Sequence, residues 1–265
     1  MSAYISLGYS DLAIGALLIL LDAALSLYLR LGLARQILVA GLRMVVQLGL
    51  MGMVLTTLFA TVSPLYTSVA IVVMLGFAGY EIAGRQDRPL SGIWNWGLGV
   101  GSMTLSTCLV TALALTTALR PDPWYDPHYA IPLLGMILGN TMTGVALGLN
   151  VLTTGAVTGR SGIEAQLMLG ATRLQALAPM VRRSLRTALM PIINTMAATG
   201  VVSLPGMMTG QILGGVPPVE AVKYQVLILC LVAGAIGIGA GAAVLIAARR
   251  LTDHRHRLRL DRLVG

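Results

Sequence analysis

From Tyr224 to Ala248 the chain carries no charged side chain. A helix needs roughly 20 apolar residues to cross the hydrocarbon core of a bilayer, so this run alone is long enough. It is not isolated: 56% of the 265 residues are hydrophobic and only 11% are charged, with a mean hydropathy of +0.83. A soluble domain carries about a quarter charged residues. Lipid is therefore the solvent to reason with. In lipid every backbone polar group has to be paired internally, which leaves helices or a closed barrel. Barrel strands alternate apolar and polar side chains, and these runs do not. The expected fold is all-α, a polytopic helical membrane protein with a single transmembrane domain over residues 1–265.

Seven segments are long and apolar enough to span: Tyr9–Leu29, Ile37–Phe59, Leu65–Ala83, Ile93–Leu119, Tyr129–Leu152, Ala188–Met208 and Ala221–Ala248. The first lacks a basic leader and a small-residue cleavage site, so it is expected to be retained. With the N-terminus outside, sixteen of the 18 basic residues fall on the inner side and only Arg120 and Lys223 fall outside. Excess Lys and Arg marks the cytoplasmic face, so the C-terminus is expected to be cytoplasmic, with the chain in a bacterial inner membrane. Trp124, Tyr125 and Tyr129 suit an interfacial aromatic belt at the opposite face. Several helices show small-xxx-small spacing, among them Gly135/Gly139 and Gly144/Gly148, which lets helices approach closely. Cys108 and Cys230 both lie in apolar runs and are expected to pack, not to cross-link.

One inner segment, 155–187, is long and only partly apolar. Leu167, Ala171, Leu174, Leu177, Val181 and Leu185 recur at three- or four-residue steps, which is one face of a helix. Pro179 is expected to break or kink it. Periodicity alone leaves two readings, a helix lying along the bilayer surface or a docking element. The basic tail 249–265 reads as an anchor on anionic lipid.

Several chemistries are missing. There is no G-x-x-x-x-G-K-[ST], so the chain does not bind ATP through a P-loop of its own. His128, His254 and His256 all fall outside the spans, which argues against an intramembrane Ser–His or zinc enzyme. Neither an enzyme nor a cofactor bound by this chain is expected.

Polar groups inside the spans are the remaining candidates. Asp22 and Arg43 stand at comparable depth on sequential helices and are expected to form an ion pair, for packing or for transport. Asn140, Thr141 and Thr143 in "GNTMTG", with Asn194, either line a path or hydrogen-bond helices together. In "SLPGMMTGQ" a Pro-Gly break precedes Met207, Met208 and Gln211, the best placed set for an outward gate; packing is the competing reading. Asp122, Asp126 and His128 in the outer loop offer oxygen and imidazole ligands, or are simply solvated.

Glu164–Ala165 followed by Gly170 resembles the loop through which ABC importer permeases engage their ATPase, although Gln166 replaces the expected second alanine. The longer stretches "GMILGNTMTGVALGLN" and "EAQLMLGATRLQALAPMVRRSLRTALMPIINTMAATGVVSLPGMMTGQILGGVPPVEAVKYQ" resemble the FetB family, membrane subunits of bacterial iron-export ABC transporters with plant members linked to aluminium tolerance. The resemblance implies a permease that works as a homodimer with a separate ATP-binding subunit. ATP and Mg would be held by that partner. Glu164, Ala165, Leu167, Leu169, Gly170, Ala171 and Arg173 would form the coupling element. The cargo would be iron, another metal ion or a nucleotide sugar. A gradient-driven transporter or channel stands as the alternative.

Overall fold

A computed structural model describes residues 8–84, 86–253 and 255–264, with the side chains of Tyr9 and Asn95 left aside. Arg85 and His254, both assigned above to the inner side, lie outside the described residues. The chain divides into two compact units, residues 1–62 and 63–265.

The first unit is a helical hairpin of α1 (Tyr9–Tyr28) and α2 (Ala34–Thr61). The turn between them uses left-handed backbone at Arg30 and Gly32, and the Leu33 N–H donates to Ser26 Oγ at 3.1 Å. A Cβ on Gly41 would meet Ile19 at 3.3 Å, so the glycine lets the two helices close. Their outer faces expose large apolar side chains such as Leu17, Leu18, Leu42 and Leu48, as lipid-facing helices do.

The second unit is built on α5 (Pro127–Thr158) and α9 (Pro218–Arg250). Around them pack α3 (Pro64–Gly84), α4 (Ile93–Leu113, widening into a π-helical turn over Ala114–Leu119) and α7 (Arg173–Ala198). Two short helices complete the set, α6 (Arg160–Met168) and α8 (Gly206–Leu213). Small residues bring the bundle together. A Cβ on Gly144 would lie 2.6 Å from Ile236 and 3.2 Å from the Ala188 carbonyl oxygen. One on Gly148 would lie 3.0 Å from Val244 and 3.3 Å from Ala188. Gly144, Ala188 and Ile236 therefore share one level of the bundle.

Among the described residues, six helices have the length and composition to cross a membrane: α1 to α5, with the π turn counted in α4, and α9. The expected seventh, Ala188–Met208, is not one helix. α7 carries Arg173, Arg182, Arg183 and Arg186, and it ends at Ala198. Thr199 turns extended, Gly200 takes φ +94°, and Ser203 N–H closes back onto the Ala198 carbonyl. This turn leaves the Val201 and Leu204 N–H groups without partners among the described residues. From the shared level, α7 rises about 15 Å to Ala198. α8 then lies beside the start of α5, because Met207 and Gln211 border the same cavity as His128 and Tyr129. α7 and α8, joined by this turn, stand where one spanning helix was expected.

The inner segment also departs from expectation. α5 continues to Thr158 and α7 begins at Arg173, so only Leu169–Thr172 is a turn. Pro179 does not break α7. Pro179 and Pro191 each remove one backbone bond, from the carbonyls of Gln175 and Thr187. The helix survives because Ala176, Leu177, Ser184, Ala188 and Ile192 are buried along its inner face.

Candidate functional site

At the arginine-rich end of the bundle, α6 and α7 meet at a tight corner. Glu164 bonds Arg160 across one helical turn at 2.8 Å, with side chains 41% and 63% exposed. Such an exposed pair contributes well under about 1 kcal/mol. Gly170 sits at φ +88° with open space where a Cβ would stand. Its glycine is required by left-handed backbone, not by any neighbour inside the chain. Thr172 then caps α7 in a reciprocal box with Gln175. Met168 and Leu169 project from this corner, 82% and 88% exposed, with Leu174 beside them at 53%. Ala165 is exposed as well, whereas Leu167 packs on the core and Ala171 is half-buried. The corner is an apolar knob on a rigid stem, at a charged end of the molecule.

The tail, expected as a basic anchor, is folded. Leu251 is fully buried, and Leu263 forms an antiparallel bridge with Leu90. Val264 N–H donates to Pro89 O at 2.8 Å, and Ser91 N–H to Arg262 O at 2.7 Å. Asp253 is almost buried and accepts from the N–H groups of Arg255 and Arg257, both at 2.9 Å. The Arg250 guanidinium lies 4.6 Å from the Trp94 ring centre. Hydrogen bonding to the Arg259 guanidinium holds the Asp261 carboxyl down to about 2, so that fork persists at any physiological pH. His256 Nδ1 accepts from the Arg173 N–H at 3.1 Å, which ties the tail to the first residue of α7. Asn150 on α5 and Asp87 exchange two hydrogen bonds of 3.0 Å, holding the 86–92 segment from the other side.

Inside the bundle the predicted polar residues separate. Thr141 is fully buried, and a Cβ on Gly239 would lie 2.9 Å from its Cγ2 and 2.6 Å from Ser106 Oγ. Its hydroxyl has no partner among the described residues, nor do those of Thr104, Thr107 and Thr111 on α4. Asn140 and Asn194 point away from the interior and are exposed; Thr143 is half-buried and bonds Gly139 O at 3.1 Å. The structure therefore does not bring Asn140, Thr141, Thr143 and Asn194 to one lining. Asp22 and Arg43 are both exposed, and among the described residues no ion pair joins them.

At the opposite end, a cavity of about 220 Å³ lies among α5, α8 and α9. Met207, Gln211, His128, Tyr129 and Tyr224 line part of it; Met208 is half-buried but not in the lining. Gln211 Oε1 is buried there without a partner among the described residues. Asp126 caps α5, accepting from His128 N–H at 2.9 Å and touching His128 Nδ1 at 2.7 Å. Burial opposes its ionisation, but these bonds to His128 outweigh that and keep the carboxyl below the usual aspartate range. An ionised carboxylate only accepts, so Nδ1 carries the proton. Asp122 is exposed and outside the cavity. Among the described residues no group of three His, Cys, Asp or Glu side chains could hold a metal ion.

Sequence reasoning missed the Ser106–Thr141–Gly239 contact and the buried Gln225. The threonines at 104, 107 and 111, spaced for one helix face, were the available signal.

Residues 9–252 match an uncharacterised protein family, UPF0014, which covers nearly the whole chain. The chain belongs to UPF0014. A UPF0014 membrane protein of Synechocystis is 38% identical over 87% of this chain and 88% of its own. The probable iron export permease protein FetB of Escherichia coli is 29% identical over 96% and 95%. The ALUMINUM SENSITIVE 3 protein of Arabidopsis thaliana is 31% identical over 84% and 80%. No solved structure matches this UPF0014 chain. Relatives in that family carry the names membrane protein and probable iron export permease protein.

Proposed function

We propose that the chain is the membrane subunit of an ABC exporter, driven by a separate ATP-binding subunit that docks at the α6–α7 corner. The observation that carries this reading is the exposed apolar pair Met168 and Leu169 on the rigid corner at Gly170. An apolar knob at a charged, water-facing end is costly unless a partner covers it. α7 runs from that corner without interruption to Ala198, so a displacement at the knob is carried into the spanning region. The excess of arginine at that end supports a cytoplasmic corner, with the chain in a bacterial inner membrane. The cargo is a metal ion, iron first, as the printed name of the Escherichia coli relative suggests.

The test is reconstitution with the candidate ATP-binding subunit in lipid. Leu169→Asp is expected to lower transport-coupled ATP hydrolysis at least about tenfold, as losing an interface anchor of 1.4 kcal/mol or more does. Insertion and monodispersity should be unchanged. Full coupling in that variant would remove the docking assignment. Stimulation of hydrolysis by a nucleotide sugar and not by Fe²⁺ would reject a metal cargo.

A further inference from the structure

The cavity of about 220 Å³ among α5, α8 and α9 lies at the far end of the bundle from the α6–α7 corner. Its walls decide what it can hold. Leu119, Pro132, Leu133, Val216 and Ile228 make them largely aliphatic, and Tyr129 and Tyr224 add two phenol rings. No Asp, Glu, Lys or Arg side chain is among the described residues that line it. A phosphate would find no cation there and a metal ion no carboxylate, so ionic ligands are poorly matched. The polar feature is the Gln211 carboxamide. Its Oε1 is buried and accepts no hydrogen bond from any described residue. A buried acceptor without a donor is costly, and a ligand carrying one donor relieves that cost.

The walls also differ in how firmly they are held. Every residue of α8 keeps some exposure. Leu133 on α5 and Ile228 on α9 are only 3% and 4% exposed. The cavity therefore has two fixed walls and one loosely held wall, and Gln211 stands on the loose one, a turn after Met207. Size then narrows the ligand. A dry apolar cavity of about 150 Å³ in an unrelated protein holds benzene. This one is larger and accommodates a ring with a small substituent. Water alone would satisfy Gln211 but leave the aliphatic walls wet.

We propose that this cavity is a binding site for a small neutral aromatic molecule of the phenol or indole class. Its ring lies among the aliphatic and tyrosine side chains, and its O–H or N–H donates to Gln211 Oε1. Bound there, it fastens α8 to α5 and α9.

Fluorine NMR of the full chain in detergent micelles tests the site, with 4-fluorophenol and fluorobenzene as probes. Partition into micelles gives a signal that grows without saturation, and empty micelles measure it. 4-Fluorophenol is expected to add a saturable signal of one molecule per chain. Its hydrogen bond should make it about threefold to tenfold tighter than fluorobenzene. Gln211→Leu should bring the two probes within about twofold of each other, with fluorobenzene still bound. Ile228→Trp should fill the cavity and remove the saturable signal; Val216→Trp is the second filling variant, should the first fail to fold. The proposal is overturned if folded protein shows no saturable signal, the result expected where an acyl tail or water keeps the space. It is also overturned if the folded filling variants retain the signal, or if Gln211→Leu retains the full preference for 4-fluorophenol. No ATP-binding subunit and no metal enter the measurement, so its outcome is independent of the coupling and cargo readings above.

Discussion

At Gly239 a single hydrogen atom decides whether three helices meet. Any side chain there would strike Ser106 Oγ at 2.6 Å and Thr141 Cγ2 at 2.9 Å, and both of those residues are buried. Gly237 and Gly241, two residues either side, have nothing within 4 Å. Gly239→Val should therefore lower stability by about 1–3 kcal/mol, the usual cost of overpacking. Gly241→Ala should leave it within about 0.5 kcal/mol. Thermal unfolding in detergent distinguishes the two; equal melting temperatures would contradict the close approach. Glycine spacing was legible in the sequence, but which glycines are used inside the chain was not. Gly144 and Gly148 pack against α7 and α9, whereas within the 63–265 unit no described residue stands within 4 Å of where a Cβ on Gly139 would be. Spacing records the chance of close approach, and only the neighbour's position says whether it is taken.

Among the elements, the tail differs most from expectation. A run such as "ARRLTDHRHRLRL" looks like a solvated basic arm because charge dominates its composition. Its apolar residues, Leu251, Leu258, Leu260 and Leu263, nevertheless pack on the core, and Asp253 organises the turn between them. Deleting residues 251–265 should uncover Leu90, now 3% exposed, and remove the His256 bond to the start of α7. Limited proteolysis should then cut at Arg88 and Arg173 at least about tenfold faster than in the full chain, as released local structure does. Unchanged cleavage would mean the tail secures neither segment. α7 gives the complementary lesson. Its packed face was legible from the spacing of Leu177, Val181 and Leu185, with Leu174 of the same spacing exposed at the corner instead, but its continuity was not. Pro179 signals a break when read locally, and burial of Ala176 and Leu177 against the bundle overrides that signal.

For the molecule as a whole, the all-helical membrane fold and most of its spans were readable, because each apolar run is long enough to be decided by length alone. α7 and α8 were not, since neither is sufficient by itself. That insufficiency bears on how the chain enters the membrane. The apolar part of α7 beyond Arg186 is only about 12 residues, short of the roughly 20 that a membrane insertion machinery recognises as a span. α9 is long and strongly apolar, and α8 packs on it. The broken helix should therefore be threaded late, waiting on α9 to complete the hairpin. A glycosylation reporter placed in the 214–217 connection should reach the far side in most chains when α9 follows, and in few when translation stops before Pro218. Equal translocation in both would show that α7 and α8 insert unaided. If the dependence holds, the chain's topology is settled only after its last helix has been synthesised, and a nascent protein cut short there would have the wrong number of crossings.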